Sequence, residues 1–319
     1  SYKYPKPGEK NSVVSVLVYD LKSKSSVTAE TGNDTEQYIP RIRWTADATD
    51  LAIMKLNRLQ NQVDIVLCNP FTGDTRAFFT EKNKRYISED FFDSFIFLPD
   101  NKYIVLNSER NGYSHLYLYD RQGFQVKQLT SGNFDVTAFY GFDAVKKVFY
   151  YQAAKESPLR REVYFVSIDG KKSGKLSTQS GTNQADFSAG FQYFINTFTN
   201  VETPYLVTLH DQTGKILRTL EDNSALKSQL KEYNLSKKEF FIFKTSEGVE
   251  LNGWMIKPAN FDQSKKYPVL MTQYSGPNSQ SVIDKWGVGW DDYMAQEGFV
   301  VACVDPRGTG ARGEEFRKM

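Results

Sequence analysis

Five stretches of this 319-residue chain share one pattern, and that repeat limits the fold more than any other feature. Each has alternating apolar residues, a polar turn and a second short apolar strand: "VSVLVYDLKSKSSV", "VDIVLCNPFTGDTRAF", "LYLYDRQGFQVKQL", "VYFVSIDGKKSGKL" and "YLVTLHDQTGKIL". The turns begin at Asp20, Asn69, Asp120, Asp169 and Asp211, at spacings of 49, 51, 49 and 42 residues. Asp and Asn suit the start of a turn because their side-chain oxygens accept nearby backbone N–H groups. Another strand pair precedes each hairpin, as in "FIFLPDNKYIVLNSERNGY", Phe95 to Tyr113. Four short strands every ~40–50 residues is the pattern of propeller blades. A β-sandwich also alternates with period two, but near-constant spacing over five occurrences favours the propeller. Four blades and part of a fifth are expected here. A closed ring commonly needs more, so further blades are expected upstream of Ser1.

After Leu220 the pattern changes. "NSALKSQLKEYNL" has helical spacing at Ala225, Leu226 and Leu230, and strand-like "KEFFIFKT" and "LNGWMIKP" follow. Then come "YPVLMTQYSGP", read as a buried strand ending in a Gly-Pro turn, a helix from about Asp291 to Gln296, and the apolar run in "GFVVACVDPRGTGARG". Strand, helix and a purely apolar strand bounded by Gly and Asp are the grammar of an α/β sheet. The expected fold is therefore mainly β, with a partial propeller over residues 1–220 and the start of an α/β domain over 221–319. The chain begins at Ser1 without an initiator Met or signal sequence and stops at "GEEFRKM", which reads as the start of a helix. Both ends are expected to be cuts in a larger protein.

Composition removes several function classes. A net charge of +2 gives no footprint for nucleic acid or an anionic membrane. Lysine clusters such as Lys82-Asn83-Lys84-Arg85 and Lys171-Lys172 read as solvated loops. No apolar run approaches the ~18 residues of a membrane span. Cys68 and Cys303 lie in apolar runs far apart in sequence, which favours two buried free thiols over a disulfide.

Chemistry-bearing motifs are few. "GTGARG", Gly308 to Gly313, matches G-x-G-x-x-G, but "DPRG" separates it from the strand and the strand does not open a domain, so nucleotide binding is not expected. A glycine-rich loop at the carboxyl edge of a sheet is the better reading. His115 and His210 are the only histidines, both in blade hairpins, and no Cys/His cluster implies a metal or cofactor. Asp291-Asp292 and Glu314-Glu315 read as solvated pairs. No G-x-S-x-G nucleophile elbow occurs, and Ser275 reads as a turn serine. Tyr274 has two readings. It is half-buried packing, which physics alone favours, or a phenol donating its O–H to a developing oxyanion, a contact worth ~3 kcal/mol.

Taken as a set, "YPKPGEKNSVVSVLVYDL" (Tyr4 to Leu21), "LEDNSAL" (Leu220 to Leu226), "YPVLMTQYSGPNSQ" and "VDPRGTGARG" resemble the dipeptidyl peptidase IV family of serine peptidases, within the prolyl oligopeptidase clan. The resemblance runs from Tyr4 to the end of the chain and points to a bacterial member. It implies the later blades of an eight-bladed propeller followed by the N-terminal part of an α/β-hydrolase domain. It also implies that Tyr274, in Tyr274-Ser275-Gly276-Pro277, is the side-chain donor of the oxyanion hole. The second donor and the Ser, Asp and His of the triad are expected beyond Met319, and the glutamate pair that grips the substrate amine upstream of Ser1. "RYISEDFFDS" (Arg85 to Ser94) corresponds to a substrate-side loop region, with no single residue carried over. The implied activity of the intact protein is release of X-Pro or X-Ala dipeptides from free N-termini through an acyl-enzyme, with this chain inert by itself. A periplasmic or secreted homodimer acting on peptides is the family habit; "NDT" at Asn33 and "NLS" at Asn234 match glycosylation sequons. The alternatives are a clan relative acting as an oligopeptidase or acylaminoacyl peptidase, and a non-catalytic binding propeller with a degenerate hydrolase domain.

Overall fold

The structure, a computed structural model, describes residue 6 and residues 8–319. Tyr4, Pro5 and Pro7 of the first family-like motif lie outside the described residues. The chain forms two compact units, one built from residues up to Arg110 together with Leu116–Gln128, the other from Asn111–His115 and Leu129–Met319.

The first unit starts with an antiparallel hairpin of β1 (Leu17–Asp20) and β2 (Ser25–Thr28). A four-stranded meander follows, β3 (Ile42–Trp44), β4 (Leu51–Leu56), β5 (Gln62–Cys68) and β6 (Thr75–Lys82), with neighbours in sequence hydrogen-bonded in the sheet. A short helix α1 (Asp90–Ser94) leads into a second meander, β7 (Ile96–Phe97), β8 (Tyr103–Ser108), β9 (His115–Asp120) and β10 (Gln125–Gln128). The alternation in β4 shows why the sheets stack. Leu51 and Ile53 pack toward Val16, Ala29 and Cys68 beside the first hairpin. Ala52, Met54 and Leu56 join Ile104, Leu106, Tyr117 and Tyr119 of the next sheet. Opposite faces of one strand thus fill two different interfaces, which a period-two side-chain pattern permits. Each fully buried Ile, Leu or Met contributes ~1.5–3 kcal/mol.

The second unit holds two more meanders of the same design: β11 (Val136–Asp143), β12 (Val148–Ala153), β13 (Glu162–Ser167) and β14 (Ser173–Lys175), then β15 (Thr182–Phe187), β16 (Tyr193–Asn200), β17 (Thr203–Asp211) and β18 (Ile216–Glu221). Aromatic rings fill the space between them. Phe187 lies 4.6 Å from Tyr150 and 5.0 Å from Phe194, centroid to centroid. Among the described residues, the part before the mixed sheet thus holds four four-stranded antiparallel sheets and one two-stranded hairpin.

Each turn-starting Asp or Asn acts as the repeat predicted. The Oδ1 of Asp20 accepts the Lys22 N–H at 2.7 Å, that of Asn69 the Phe71 N–H at 2.9 Å and that of Asp120 the Gln122 N–H at 2.9 Å. Asp169 and Asp211 accept the N–H groups of Lys171 and Thr213 in the same way, at 3.0 and 2.8 Å.

Beyond β18 the architecture changes to a mixed sheet. A helix α2 (Ser224–Leu230) precedes β19 (Lys238–Lys244), β20 (Glu250–Ile256), β21 (Val269–Thr272), helix α3 (Trp290–Gln296), β22 (Val300–Val304) and helix α4 (Glu314–Arg317). The strand order is β19-β20-β22-β21, with β21 parallel to β22 and β20 antiparallel to it. A parallel pair needs a crossover, and the connection containing α3 supplies it. Trp254, Ile256, Val282, Ala295, Val301 and Cys303 form the core beneath.

Two expectations need correction. β21 is not a buried strand: Val269 is 66% and Met271 59% exposed, because β21 is the edge strand and only β22 pairs with it among the described residues. Nor are Asp291 and Asp292 both solvated. The Asp292 Oδ2 accepts the Gly289 N–H at 2.9 Å and caps α3, while partial burial, opposed by Lys238, raises the pKa of Asp291. Both cysteines are free and buried, as the sequence indicated.

Candidate active-site edge

Tyr274 lies two residues beyond the carboxyl end of β21, and the 308–313 loop follows the carboxyl end of the parallel neighbour β22. Ligands of open α/β sheets bind outside such carboxyl ends. The tyrosine is 70% exposed, and its hydroxyl has no hydrogen-bond partner among the described residues. Its ring lies across Gly276: a Cβ built on that glycine would sit 2.9 Å from Cε1 and 3.0 Å from the hydroxyl oxygen. Glycine at this position therefore makes room for the ring.

The rest of the loop is tightly held. The Ser279 hydroxyl bonds the Gly276 carbonyl at 2.5 Å, and the Asn278 N–H donates to the Gly308 carbonyl at 2.9 Å. Gly310 donates its N–H to the Ser279 carbonyl at 3.3 Å, and a Cβ on Gly310 would meet Asn278 Oδ1 at 2.6 Å. The buried carboxylate of Asp305, just past β22, accepts the N–H groups of Ser281 and Val282, both at 2.9 Å. Burial raises the Asp305 pKa, and these two donors oppose the shift.

This interlocking also explains the glycine motif. Gly308 donates its N–H to the Phe316 carbonyl, Gly310 to the Ser279 carbonyl and Gly313 to the Asp135 carboxylate, the last at 2.9 Å. Those amides are committed to protein acceptors, whereas a phosphate cradle needs them free. The helix that follows has four residues. The loop is structural.

Neither histidine is placed to act as a base. His115 Nε2 bonds the Gly132 carbonyl at 2.9 Å, Nδ1 meets the Thr130 hydroxyl at 3.1 Å, and burial lowers the ring's pKa. His210 lies between Thr208 and the Gly214 carbonyl and stacks on Phe194. Since a carbonyl only accepts, the nitrogen facing it carries the proton. Among the described residues no group of three His, Cys, Asp or Glu could hold a metal ion.

Sequence reasoning reached Tyr274 and the glycine loop but missed Asp305, which holds the Ser281 and Val282 amides, and Asp135, which holds Gly313. The only signal was for Asp305, the acidic residue bounding the apolar β22 run, and it was read as punctuation.

The family described as the dipeptidyl peptidase IV N-terminal region matches residues 1–205. Relatives called probable dipeptidyl peptidase 4 from Emericella nidulans and Trichophyton verrucosum are 29% and 32% identical, each over 99% of this chain and 43% of the relative. The crystal structure of Porphyromonas gingivalis dipeptidyl peptidase 4 superposes with a TM-score of 0.95 at 46% identity, covering 99% of this chain and 45% of that one. A Bacteroides ovatus structure assigned to dipeptidyl aminopeptidase IV gives 0.88 at 27%, covering 99% and 48%. The chain thus spans under half the length of the relatives it matches. Its blades, its mixed sheet and these likenesses together make it a member of the dipeptidyl peptidase IV family.

Proposed function

We propose that this chain is part of a serine aminodipeptidase that releases X-Pro and X-Ala dipeptides from free peptide N-termini. Residues 1–220 belong to its propeller and residues 221–319 open its α/β-hydrolase domain. One observation carries the reading: in a member of this family, a tyrosine with an unbonded, exposed hydroxyl stands at the carboxyl edge of a parallel strand pair. In the reaction a serine supplied by residues after Met319 attacks the carbonyl following the penultimate Pro or Ala. Charge builds on the carbonyl oxygen, and the Tyr274 O–H donates to it. The donor stabilises the transition state more than the bound substrate, so it acts on kcat. The enzyme works as a periplasmic or secreted homodimer, and this chain alone is inert.

The test uses the longer protein that carries this chain and its flanking regions. Hydrolysis of Gly-Pro-anilide is compared with that of its N-acetylated form, with the 319-residue chain as the blank. Cleavage of the free amine alone supports an aminodipeptidase. Cleavage of both forms moves the reading to an oligopeptidase or acylaminoacyl peptidase. A folded protein that cleaves neither is a binding propeller.

A further inference from the structure

Asp284, ten residues beyond Tyr274, is buried, and all its hydrogen-bonding groups meet residues of the two preceding blades. Its N–H donates to the Leu159 carbonyl at 2.8 Å, and its carbonyl accepts the Thr182 hydroxyl at 2.8 Å. Its Oδ1 accepts the Val201 N–H at 3.1 Å and its Oδ2 the Arg160 Nε–H at 3.2 Å. Leu159 and Arg160 belong to the β12–β13 connection, Thr182 opens β15, and Val201 lies in the β16–β17 turn. Among the described residues, no hydrogen bond of Asp284 goes to the mixed sheet.

Gln280 adds a second tie. Its Nε2 donates to the Pro158 carbonyl at 2.7 Å, and its Oε1 accepts from Arg161. Between the two ties, the Ser281 and Val282 amides are fixed to Asp305 in the mixed sheet. The segment that begins at Tyr274 is therefore stretched between the blades and the sheet. Among the described residues the Tyr274 hydroxyl has no such anchor of its own, so its direction follows from where this segment is held.

We infer that Asp284 is a positioning residue, by which two blades set the placement of the Tyr274 hydroxyl. This rests on the oxyanion role proposed for Tyr274. A carboxylate suits the task because one group accepts from both an arginine and a backbone amide, and charge-assisted bonds are stronger than neutral ones. Removing it takes the acceptor from the part-buried Val201 N–H and the partner from the Arg160 guanidinium, which is 41% exposed.

Two measurements on the longer enzyme test the idea. Amide exchange of residues 274–284 should quicken at least tenfold in Asp284→Ala, with exchange in the β22 core unchanged; an unchanged rate in the loop overturns the tie. Kinetically, Asp284→Ala should lower kcat about tenfold with KM little altered, and Asp284→Asn, which keeps one acceptor for Val201, should recover part of the loss. The decisive readout is a double-mutant cycle with Tyr274→Phe. If Asp284 acts through Tyr274, adding Asp284→Ala to the Phe variant costs little further; full additivity overturns the inference. If Tyr274→Phe by itself leaves kcat unchanged, the oxyanion reading fails, and faster exchange would then leave Asp284 as an anchor of the loop without a catalytic consequence.

Discussion

The Tyr274 ring rests on the α-carbon of Gly276, with its hydroxyl oxygen 3.0 Å from where a Cβ would be. A Gly276→Ala substitution must push the ring aside. Because Tyr274 is mostly exposed, little packing is lost and thermal stability should change by under ~1 kcal/mol. In the longer enzyme, kcat should fall by roughly the 10²-fold typical of removing one oxyanion donor, with KM nearly constant. Steady-state kinetics of Gly276→Ala beside Tyr274→Phe check this. An alanine variant with full kcat would show that the ring's placement is irrelevant.

The repeat and its turn chemistry were legible because they are local. An Asp or Asn and the amide two residues on decide each turn, and the same solution recurs at Asp20, Asn69, Asp120, Asp169 and Asp211. Tyr274 was visible as a residue placed between a strand and a Gly-Pro turn, although its exposure was not, since that depends on which strand lies beside β21. Asp284 and Asp135 were invisible for a related reason. Asp284 meets Arg160 and Thr182 across 124 and 102 positions, and Asp135 meets Gly313 across 178. No period or motif encodes a partner that distant.

The turn glycines show the same limit from the other side. Gly123 has φ +85°, and a Cβ there would lie 2.4 Å from the Phe78 carbonyl oxygen of the preceding sheet; Gly73 meets the Thr28 carbonyl likewise at 2.3 Å. Gly32, at φ +84°, has only the Lys55 Nζ within 4 Å, at 3.7 Å. Gly32→Ala should therefore cost only the ~1–2 kcal/mol of a left-handed alanine. Gly123→Ala should cost at least ~2 kcal/mol more, because a backbone carbonyl must move as well. Urea denaturation followed by circular dichroism compares the two, and equal losses would show that the turn does not press on the neighbouring blade.

Cys68 and Cys303 are buried, and burial raises both thiol pKa values, that of Cys303 to about 11. At pH 8 roughly one Cys303 in a thousand would be thiolate even if reagent reached it. Neither thiol should react with a disulfide-exchange reagent in the folded chain, and both should react in guanidinium. Fast labelling of the native protein would contradict their placement in the core.

Glu162 opens β13 fully buried, with neither carboxylate oxygen hydrogen-bonded among the described residues. Burial, reinforced by Glu156 and opposed by Lys175, Arg160 and Arg161, pushes its pKa from 4.5 up to about 7. The folded value lies above the unfolded one, so ionisation favours the unfolded chain. The stability associated with a protonated Glu162 is complete below pH 4.5 and is lost as pH rises through 7. The full effect is about 3 kcal/mol. A Glu162→Gln variant, which cannot ionise, should be more stable than the parent at pH 8 by up to that amount. Below pH 4.5 the two should differ little. Urea midpoints measured from pH 4 to pH 8 would trace the divergence, and parallel curves for the two proteins would mean that Glu162 finds a compensating charge or water when it ionises.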